Sequence, residues 1–225
     1  MTKGFFVTGT DTGVGKTLIA CALLHGFAAR GKSVIGMKPV AAGAVRTAQG
    51  LISGDVELLR AASNINAPLP LINPYCFEPP IAPHLAAEQA GATIDLGTIV
   101  SAYRRLAALA DIVIVEGVGG FCVPLNFGED SADLAQCLGL PVILVVGLHL
   151  GCLNHALLTA QAIRGKGLTL AGWIANRIDP AMAAADENVA ALAQRVGAPL
   201  LGEVEFAVAP DPQRIAALIA WSRLG

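Results

Sequence analysis

The hydrophobic positions of the chain form short, unbroken apolar runs that alternate with longer stretches of mixed polarity. A short, fully apolar run is typical of a parallel strand buried on both faces, whereas mixed stretches of this kind have helical periodicity. The apolar runs predict six strands: FFVTG (5–9), SVIGMKPV (33–40), DIVIVEG (111–117), PVILVVG (141–147), LAGWIAN (170–176) and PLLGEVEF (199–206). The mixed stretches predict helices over 16–31 (with Gly31 as C-cap), 95–110, 131–138, 154–165, 181–196, and from about Asp211.

Strands that alternate with helices in this way indicate βαβ units joined by right-handed crossovers. We therefore expect an α/β fold, with a mostly parallel sheet between two helical layers (three-layer αβα), in one domain over residues 1–225. Residues 39–83 differ because they are rich in Pro, Asn and Gly and contain a single helix-like piece, GDVELLRAA (54–62). This segment is predicted to be an elaborated crossover over the binding face.

Composition excludes several classes of protein. The 225 residues are 54% hydrophobic and 14% charged, which argues against a disordered chain, and the net charge of −2 gives no basis for binding nucleic acid or anionic lipid. The apolar window LPVILVVGLHLG (140–151) has about half the length of a membrane span. We therefore expect a soluble protein with no membrane contact. Its cysteines, none of them in C-x-x-C spacing, indicate a reducing, cytoplasmic location: Cys21, Cys76, Cys122, Cys137 and Cys152.

The clearest chemical signal is GTDTGVGKT (9–17), which follows the first strand and opens the first helix. A glycine-rich turn in this position presents backbone N–H groups to phosphate oxygens at the positive end of the helix dipole. Lys16 would neutralise the β- and γ-phosphates, and the Thr17 hydroxyl would ligate Mg²⁺. The first glycine of the usual phosphate-loop spacing would fall at Thr10, but it stands at Gly9. The loop is therefore a nucleotide-binding candidate with an extra residue.

Seven segments in order resemble the dethiobiotin synthetase family of biotin biosynthesis. They are GTDTGVGKT (9–17), GMKPVAAG (36–43), GDVELLR (54–60), NPYCFEPPIAPHLAA (73–87), VEGVGGFCVPL (115–125), LVVGLHLGCLNHALLT (144–159) and AGWIAN (171–176). The resemblance implies a fold like that of P-loop NTPases and a magnesium-dependent homodimer with sites at the subunit interface. The implied reaction joins CO₂ or bicarbonate to 7,8-diaminononanoate (7,8-diaminopelargonate) with ATP, through a carbamate and a carbamic-phosphoric anhydride, giving dethiobiotin, ADP and phosphate. ATPases whose loop carries a second lysine fit poorly, because that lysine would be Asp11 here.

The resemblance assigns Lys38, Lys16 and Thr12 to catalysis and assigns Thr17, Asp55 and Glu116 to the metal. From the residues alone, Lys38 is also compatible with a surface lysine at a strand end, and Asp55 with an ordinary helix N-cap. Glu116 follows four β-branched residues, so its carboxylate needs a partner.

The remaining assignments follow from the same resemblance. Asn176 would read the adenine edge and the backbone of 205–207 would border the base, although the family usually has a proline near 205. The segment Gly151–His155 opens a helix and, in the family, reaches the substrate tail in the neighbouring subunit. Two departures are Ala42 and Ala82, which replace hydroxyl residues. The implied ATP-binding residues are Gly13, Val14, Gly15, Lys16, Thr17, Leu18, Asp55, Glu116, Gly117, Val118, Gly119, Asn176, Arg177, Glu205, Phe206 and Ala207. The implied substrate-binding residues are Thr12, Lys38, Ala42, Gly151, Cys152, Leu153 and Asn154.

Two other enzyme classes fit parts of the sequence. NRID (176–179) resembles the Asn-Lys-x-Asp guanine-binding motif of GTP-dependent switches, but its lysine is replaced by Arg177. Glutamine-dependent amidating synthetases share this loop type, but they need a glutaminase domain, which a partner chain would have to supply. A scaffolding role would leave Lys16, Lys38 and Glu116 without a purpose.

Overall fold

The computed structural model describes residues 4–48 and 50–224, which contain ten strands and nine α-helices. The strands are β1 (Gly4–Gly9), β2 (Val34–Met37), β3 (Val40–Ala42), β4 (Val45–Thr47), β5 (Gly50–Ile52), β6 (Tyr75–Phe77), β7 (Ile112–Glu116), β8 (Val142–Leu148), β9 (Leu170–Arg177) and β10 (Leu200–Val204). The helices are α1 (Lys16–Ala28), α2 (Gly54–Ala62), α3 (Leu69–Ile72), α4 (Pro83–Gln89), α5 (Leu96–Leu109), α6 (Ser131–Leu138), α7 (Cys152–Gly165), α8 (Ala185–Arg195) and α9 (Pro212–Leu218), and a short 3₁₀ turn follows at Trp221–Arg223.

Six strands form one parallel sheet in the order β10-β9-β8-β1-β7-β2. Its central strands are buried on both faces, which explains their unbroken apolar sequences. One buried cluster joins the sheet to α5–α8, and a second joins it to α1 and α9. The expected three-layer α/β architecture is confirmed.

The six predicted strands and the helices between them are also confirmed, with small differences at their ends. Helix α7 begins two residues earlier than predicted, and α8 begins at Ala185 rather than at 181. Helix α1 ends with Ala29 as its C-cap, and Gly31 lies beyond it at a φ of +75°. Among the described residues, no helix is both long enough and apolar enough to cross a membrane.

The expectation of a single helix-like piece in the crossover at 39–83 is wrong. Besides α2, this segment contains α3, the parallel pair β3–β6 and the antiparallel pair β4–β5. These strands have three residues each, which is too short for a periodic pattern to show in the sequence.

The sheet brings the phosphate loop and two charged side chains to one edge. Strand β7 lies between β1 and β2, with Val7 opposite Glu116 and Met37 opposite Val115. The carboxyl ends of these strands therefore meet, and they carry the phosphate loop after β1, Lys38 after β2 and Glu116 at the end of β7. This edge is where open parallel sheets bind ligands.

Candidate active site

Two glycines of the phosphate loop have backbone conformations that favour glycine. Gly15 is the N-cap of α1 and has a φ of +92°, a left-handed conformation that favours glycine. A Cβ there would also lie 2.3 Å from Nδ2 of Asn176. Gly13 has a φ of +77° with open space around it. Its backbone is therefore accessible to a phosphate.

The displaced glycine at position 9 allows the loop to close on itself. A Cβ on Gly9 would lie 2.6 Å from Cγ2 of Val14, so no larger residue fits. The residues that follow Gly9 then lie against the side chain of Lys16, and the carbonyl of Asp11 accepts a hydrogen bond from Nζ of Lys16 at 2.8 Å. Oδ1 of Asp11 accepts from the backbone N–H of Thr12 at 2.7 Å. The departure from the usual spacing thus gives the lysine a backbone partner.

Lys16 has an unusual charge environment. Burial of its ammonium group, together with repulsion from Lys38, lowers its pKa from 10.5 to about 8, although Glu116, Asp55 and Asp11 act in the opposite direction. An anion placed beside such a lysine raises its pKa again, so the side chain becomes protonated when the anion binds. This environment suits a phosphate-binding lysine.

Lys38 lies at the centre of a buried ion-pair cluster. Its side chain is 5% exposed, and Nζ lies 2.5 Å from Oε1 of Glu116 and 2.9 Å from Oδ2 of Asp55. Burial alone would lower its pKa, but the two carboxylates outweigh that effect and raise it, so Lys38 is held as a cation. The alternative of a surface lysine at the strand end is therefore wrong.

Three oxygen-bearing side chains meet beside this lysine. Thr17 donates a hydrogen bond from Oγ1 to Oε1 of Glu116 at 2.8 Å, and its hydroxyl lies beside the Asp55 carboxylate. Burial would raise the pKa of Asp55, but the Lys38 cation and the neighbouring Thr17 hydroxyl lower it. The N-cap of α2 is Ser53, with Asp55 in its first turn, so the N-cap interpretation of Asp55 is wrong.

These residues enclose a cavity of about 730 Å³ at the edge of the sheet. It brings together the predicted catalytic and metal-binding residues with Ala42 and Ala82, the two positions that lack a hydroxyl. It also includes Gly120, which belongs to the glycine-rich turn at 117–120, and residues to which sequence reasoning gave no role: Asp11, Pro80, Ile81, Pro83 and Val123. For most of these, the only signal in the sequence was their position in the family-like segments 73–87 and 115–125.

A second groove of about 360 Å³ adjoins the loop on the side of β9. Its lining contains the predicted base-binding residues and also Ile178, Val204 and Pro210, which sequence reasoning missed; the full set is Gly15, Thr17, Leu18, Asn176, Arg177, Ile178, Val204, Glu205, Phe206, Ala207 and Pro210. Asn176 donates from Nδ2 to the carbonyl of Val14 at 2.8 Å. Asn176 therefore also holds the phosphate loop in place.

Not every predicted residue reaches a cavity through its side chain. Val14 and Cys152 are each 1% exposed, which leaves them their backbone groups alone. Gly117 packs against Phe6, so that a Cβ would lie 3.2 Å from Cζ of that ring. The residues predicted to hold the substrate tail, 151–154, form the N-terminus of α7 and do not line the 730 Å³ cavity of their own chain.

A third cavity, of about 420 Å³, lies between α1 and α9 under Trp221. Its lining consists of His25, Gly26, Ala29, Arg30, Gln213, Ala216, Ala217 and Trp221. In the part of the chain that the structure describes, this lining includes neither the phosphate loop nor a carboxylate, so the two cavities beside the loop are the candidates for the active site.

Comparison with known proteins gives a consistent result. A family described as an AAA domain matches residues 3–213. The chain is 58% identical over 225 residues to the ATP-dependent dethiobiotin synthetase BioD of Nitrosospira multiformis, covering 100% of this chain and 98% of the relative. It is 57% identical over 215 residues to the protein of the same name from Aromatoleum aromaticum, covering 96% of each.

Among solved structures, the chain is similar to the septum site-determining protein MinD of Pyrococcus horikoshii, which was determined in complex with Mg-ADP. The TM-score is 0.54 at 17% identity, and the match covers 97% of this chain and 86% of that one. At this identity the likeness concerns the fold alone.

Proposed function

The chain belongs to the AAA-domain family and, within it, to the ATP-dependent dethiobiotin synthetases, and we propose that ring closure takes place in the 730 Å³ cavity at the ends of β1, β2 and β7. The protein is an ATP-dependent ligase of biotin biosynthesis. The observation that carries the location is the buried cation of Lys38, held beside the phosphate loop by Glu116 and Asp55.

We propose a sequence of three bond-forming steps. One amine of 7,8-diaminononanoate attacks CO₂ and loses a proton, which gives a carbamate. A carbamate oxygen then attacks the γ-phosphorus of ATP, and ADP leaves. Finally, the second amine attacks the carbamoyl carbon and loses a proton, and phosphate departs with that carbamate oxygen, which closes the ureido ring.

The difficult step brings two anions together, since the carbamate must approach the γ-phosphate. Positioning and positive charge are the available means of lowering that barrier. Lys16 would hold the phosphate oxygens from the loop, while Lys38 would orient the carbamate from the end of β2. Thr12 lines the same cavity, and a Cβ added to Gly119 would lie 3.6 Å from its Oγ1, so the hydroxyl faces the turn at 117–120.

The donor set fits Mg²⁺. Oε2 of Glu116 is buried and has no hydrogen-bond partner among the described residues. It adjoins the Thr17 hydroxyl and the Asp55 carboxylate, and oxygen groups of this kind are the ligands that Mg²⁺ prefers. Thr17, Asp55 and Glu116 would hold the ion. When bound, it neutralises charge on the triphosphate and helps to orient it.

The groove beside β9 would accept the adenine, with Asn176 at its edge and the backbone of 205–207 along one side. We also propose a cytoplasmic location, because all five cysteines are free.

A nucleotide panel tests the choice of ATP over the GTP-switch alternative. We expect diamine-stimulated phosphate release with ATP and little with GTP, as for a synthetase rather than a switch. Strong preference for GTP without stimulation by the diamine would contradict the proposal.

Binding of ATP is expected to take up protons at alkaline pH. Because the pKa of Lys16 is about 8, about half of the free protein carries a neutral Lys16 at pH 8, and triphosphate beside it raises that pKa again. Calorimetry in buffers of different ionisation enthalpy should show uptake of up to about half a proton per ATP at pH 8, with less at pH 7, and affinity that falls as the pH rises further. Lys16→Arg should lack this uptake; equal uptake in that variant would contradict the assignment.

We propose a homodimer in which α7 of one protomer reaches the site of the other. The N-terminal N–H groups of α7 suit the substrate carboxylate, and the preceding Leu150 is 93% exposed. Lys38→Ala and Gly151→Val should each be inactive, the latter because Gly151 has a φ of +100°.

Mixing these two variants tests the shared site. Random pairing makes half of the dimers mixed, and each mixed dimer has one native site out of two, so about a quarter of native activity should return. Recovery of no activity, with mixed dimers present by native mass spectrometry, would count against the shared site.

A further inference from the structure

Arg177, the last residue of β9, connects three carboxylates from different parts of the chain. Its side chain is 19% exposed, and its guanidinium lies 2.5 Å from Oδ1 of Asp186 on α8. It also lies 3.4 Å from Oε2 of Glu203 on β10, and its Nε forms an ion pair without hydrogen-bond geometry, at 3.2 Å, with Oε1 of Glu205, just after β10. The three contacts join strand, helix and loop through one side chain.

The loop that Arg177 contacts forms one wall of the 360 Å³ groove. Residues 205–211 connect β10 to α9 with neither helix nor strand, and Glu205, Phe206, Ala207 and Pro210 line the groove. Phe206 and Val208 are 47% and 95% exposed, so this connection gains little from burial in the core. Its position beside the groove must therefore come from other contacts, and the pair between Arg177 and Glu205 is one of them.

We propose that Arg177 is a positioning residue for nucleotide binding, which holds the wall at 205–210 in place by fixing Glu205 to β9 and α8. The inference rests on the proposed function, in which this groove accepts the base of ATP. Arg177 acts on the base and ribose through the loop, whereas the phosphate loop acts on the triphosphate. Arg177 should therefore affect the affinity for the base and ribose of ATP but not the affinity for its triphosphate.

The physical basis is preorganisation. A wall that is already in place loses less conformational freedom when the base binds. A single exposed ion pair contributes little binding or folding free energy. Here one planar guanidinium interacts with three carboxylates, so the entropy cost of ordering the arginine side chain arises only once. Asp186 and Glu205 are 84% and 80% exposed, so salt should weaken the effect.

The test compares two ligands, ATP and inorganic tripolyphosphate, by calorimetry on the full-length protein. Arg177→Ala should weaken ATP binding about tenfold and leave tripolyphosphate within about twofold of native. Glu205→Gln, an isosteric change at an exposed side chain, should weaken ATP binding in the same direction by a smaller factor. Arg177→Lys should restore part of the loss, and high salt should reduce the difference between native protein and Arg177→Ala.

Arg60→Ala is the matched control, because it removes an exposed guanidinium paired with Glu57 on α2 and should change neither affinity. An equal loss of ATP and tripolyphosphate binding in Arg177→Ala would overturn the proposal, since it would indicate general disruption. Unchanged ATP binding in both Arg177→Ala and Glu205→Gln would also overturn it.

Ala207→Trp, which fills the groove, separates failure of this inference from failure of the proposed function. If it abolishes ATP binding while Arg177→Ala has no effect, the groove binds the base and only the role of Arg177 is wrong. If Ala207→Trp leaves ATP binding unchanged, the assignment of the groove to the base is itself wrong, and the inference falls with it.

Discussion

Lys38→Met is expected to lower the rate of ring closure about a thousandfold, because it removes the cation that would hold the carbamate against the γ-phosphate. Methionine matches the unbranched apolar stem of lysine and lacks the ammonium, so it leaves little empty space at a side chain that is 5% exposed to solvent. Nucleotide affinity should stay within a few-fold of native, since no residue of the phosphate loop or of the base groove is substituted. The measurements are single-turnover formation of dethiobiotin and calorimetry with ATP.

Lys166→Met provides the control of equal charge. Lys166 also forms an ion pair, with Asp133 at 2.5 Å, but it lies on the surface at the end of α7, away from the cavity. Its activity should remain near native. Native turnover in Lys38→Met, or a comparable loss in Lys166→Met, would show that the cation at 38 has no particular role.

Glu116→Gln is expected to lower the free energy of unfolding of the ligand-free protein by about 3 kcal/mol. The change leaves the buried ammonium of Lys38 without its nearest counter-ion, and removing one partner of a buried pair has effects of this size. The remaining pair with Asp55 is half exposed and compensates only in part. Urea denaturation measures the loss.

The double variant Lys38→Met/Glu116→Gln should be more stable than Glu116→Gln alone, because the uncompensated charge is then absent. Glu78→Gln is the comparison, since it breaks the exposed pair with Arg46 and should cost less than about 1 kcal/mol. Additive effects of the two substitutions at 38 and 116 would contradict the buried-pair account.

The sheet and its main helices were predictable from the sequence because their signals are local. Strands such as β8 are apolar throughout, and α6 begins with a capping box formed by Asp130 and Asp133. The site edge was also predictable, since Lys38 and Glu116 each stand at the end of an apolar strand and parallel strands bring such ends together.

Other features depend on contacts between residues distant in sequence. The pairing of Lys38 with both predicted metal-binding carboxylates required β2 and β7 to be neighbours and α2 to pack beside them. Likewise, Arg177 was assigned to ATP, but its three partners lie 9 or more residues away on other elements. The crossover was the least predictable segment because its strands are held by tertiary pairing rather than by pattern.

The role of the displaced glycine could not be predicted either, because it also depends on contacts that only the folded structure shows. The sequence showed that Gly9 stands one place early, but not that Asp11 then offers its carbonyl to Lys16 or that Gly9 closes against Val14.

The most direct test of ring closure in this protein is an isotope experiment with 7,8-diaminononanoate, ¹⁸O-labelled bicarbonate and MgATP. If a carbamate oxygen attacks ATP, mass spectrometry should show dethiobiotin together with ¹⁸O in the released phosphate, in equal amounts with ADP. Formation of ADP and phosphate without dethiobiotin, or dethiobiotin with unlabelled phosphate, would contradict the account.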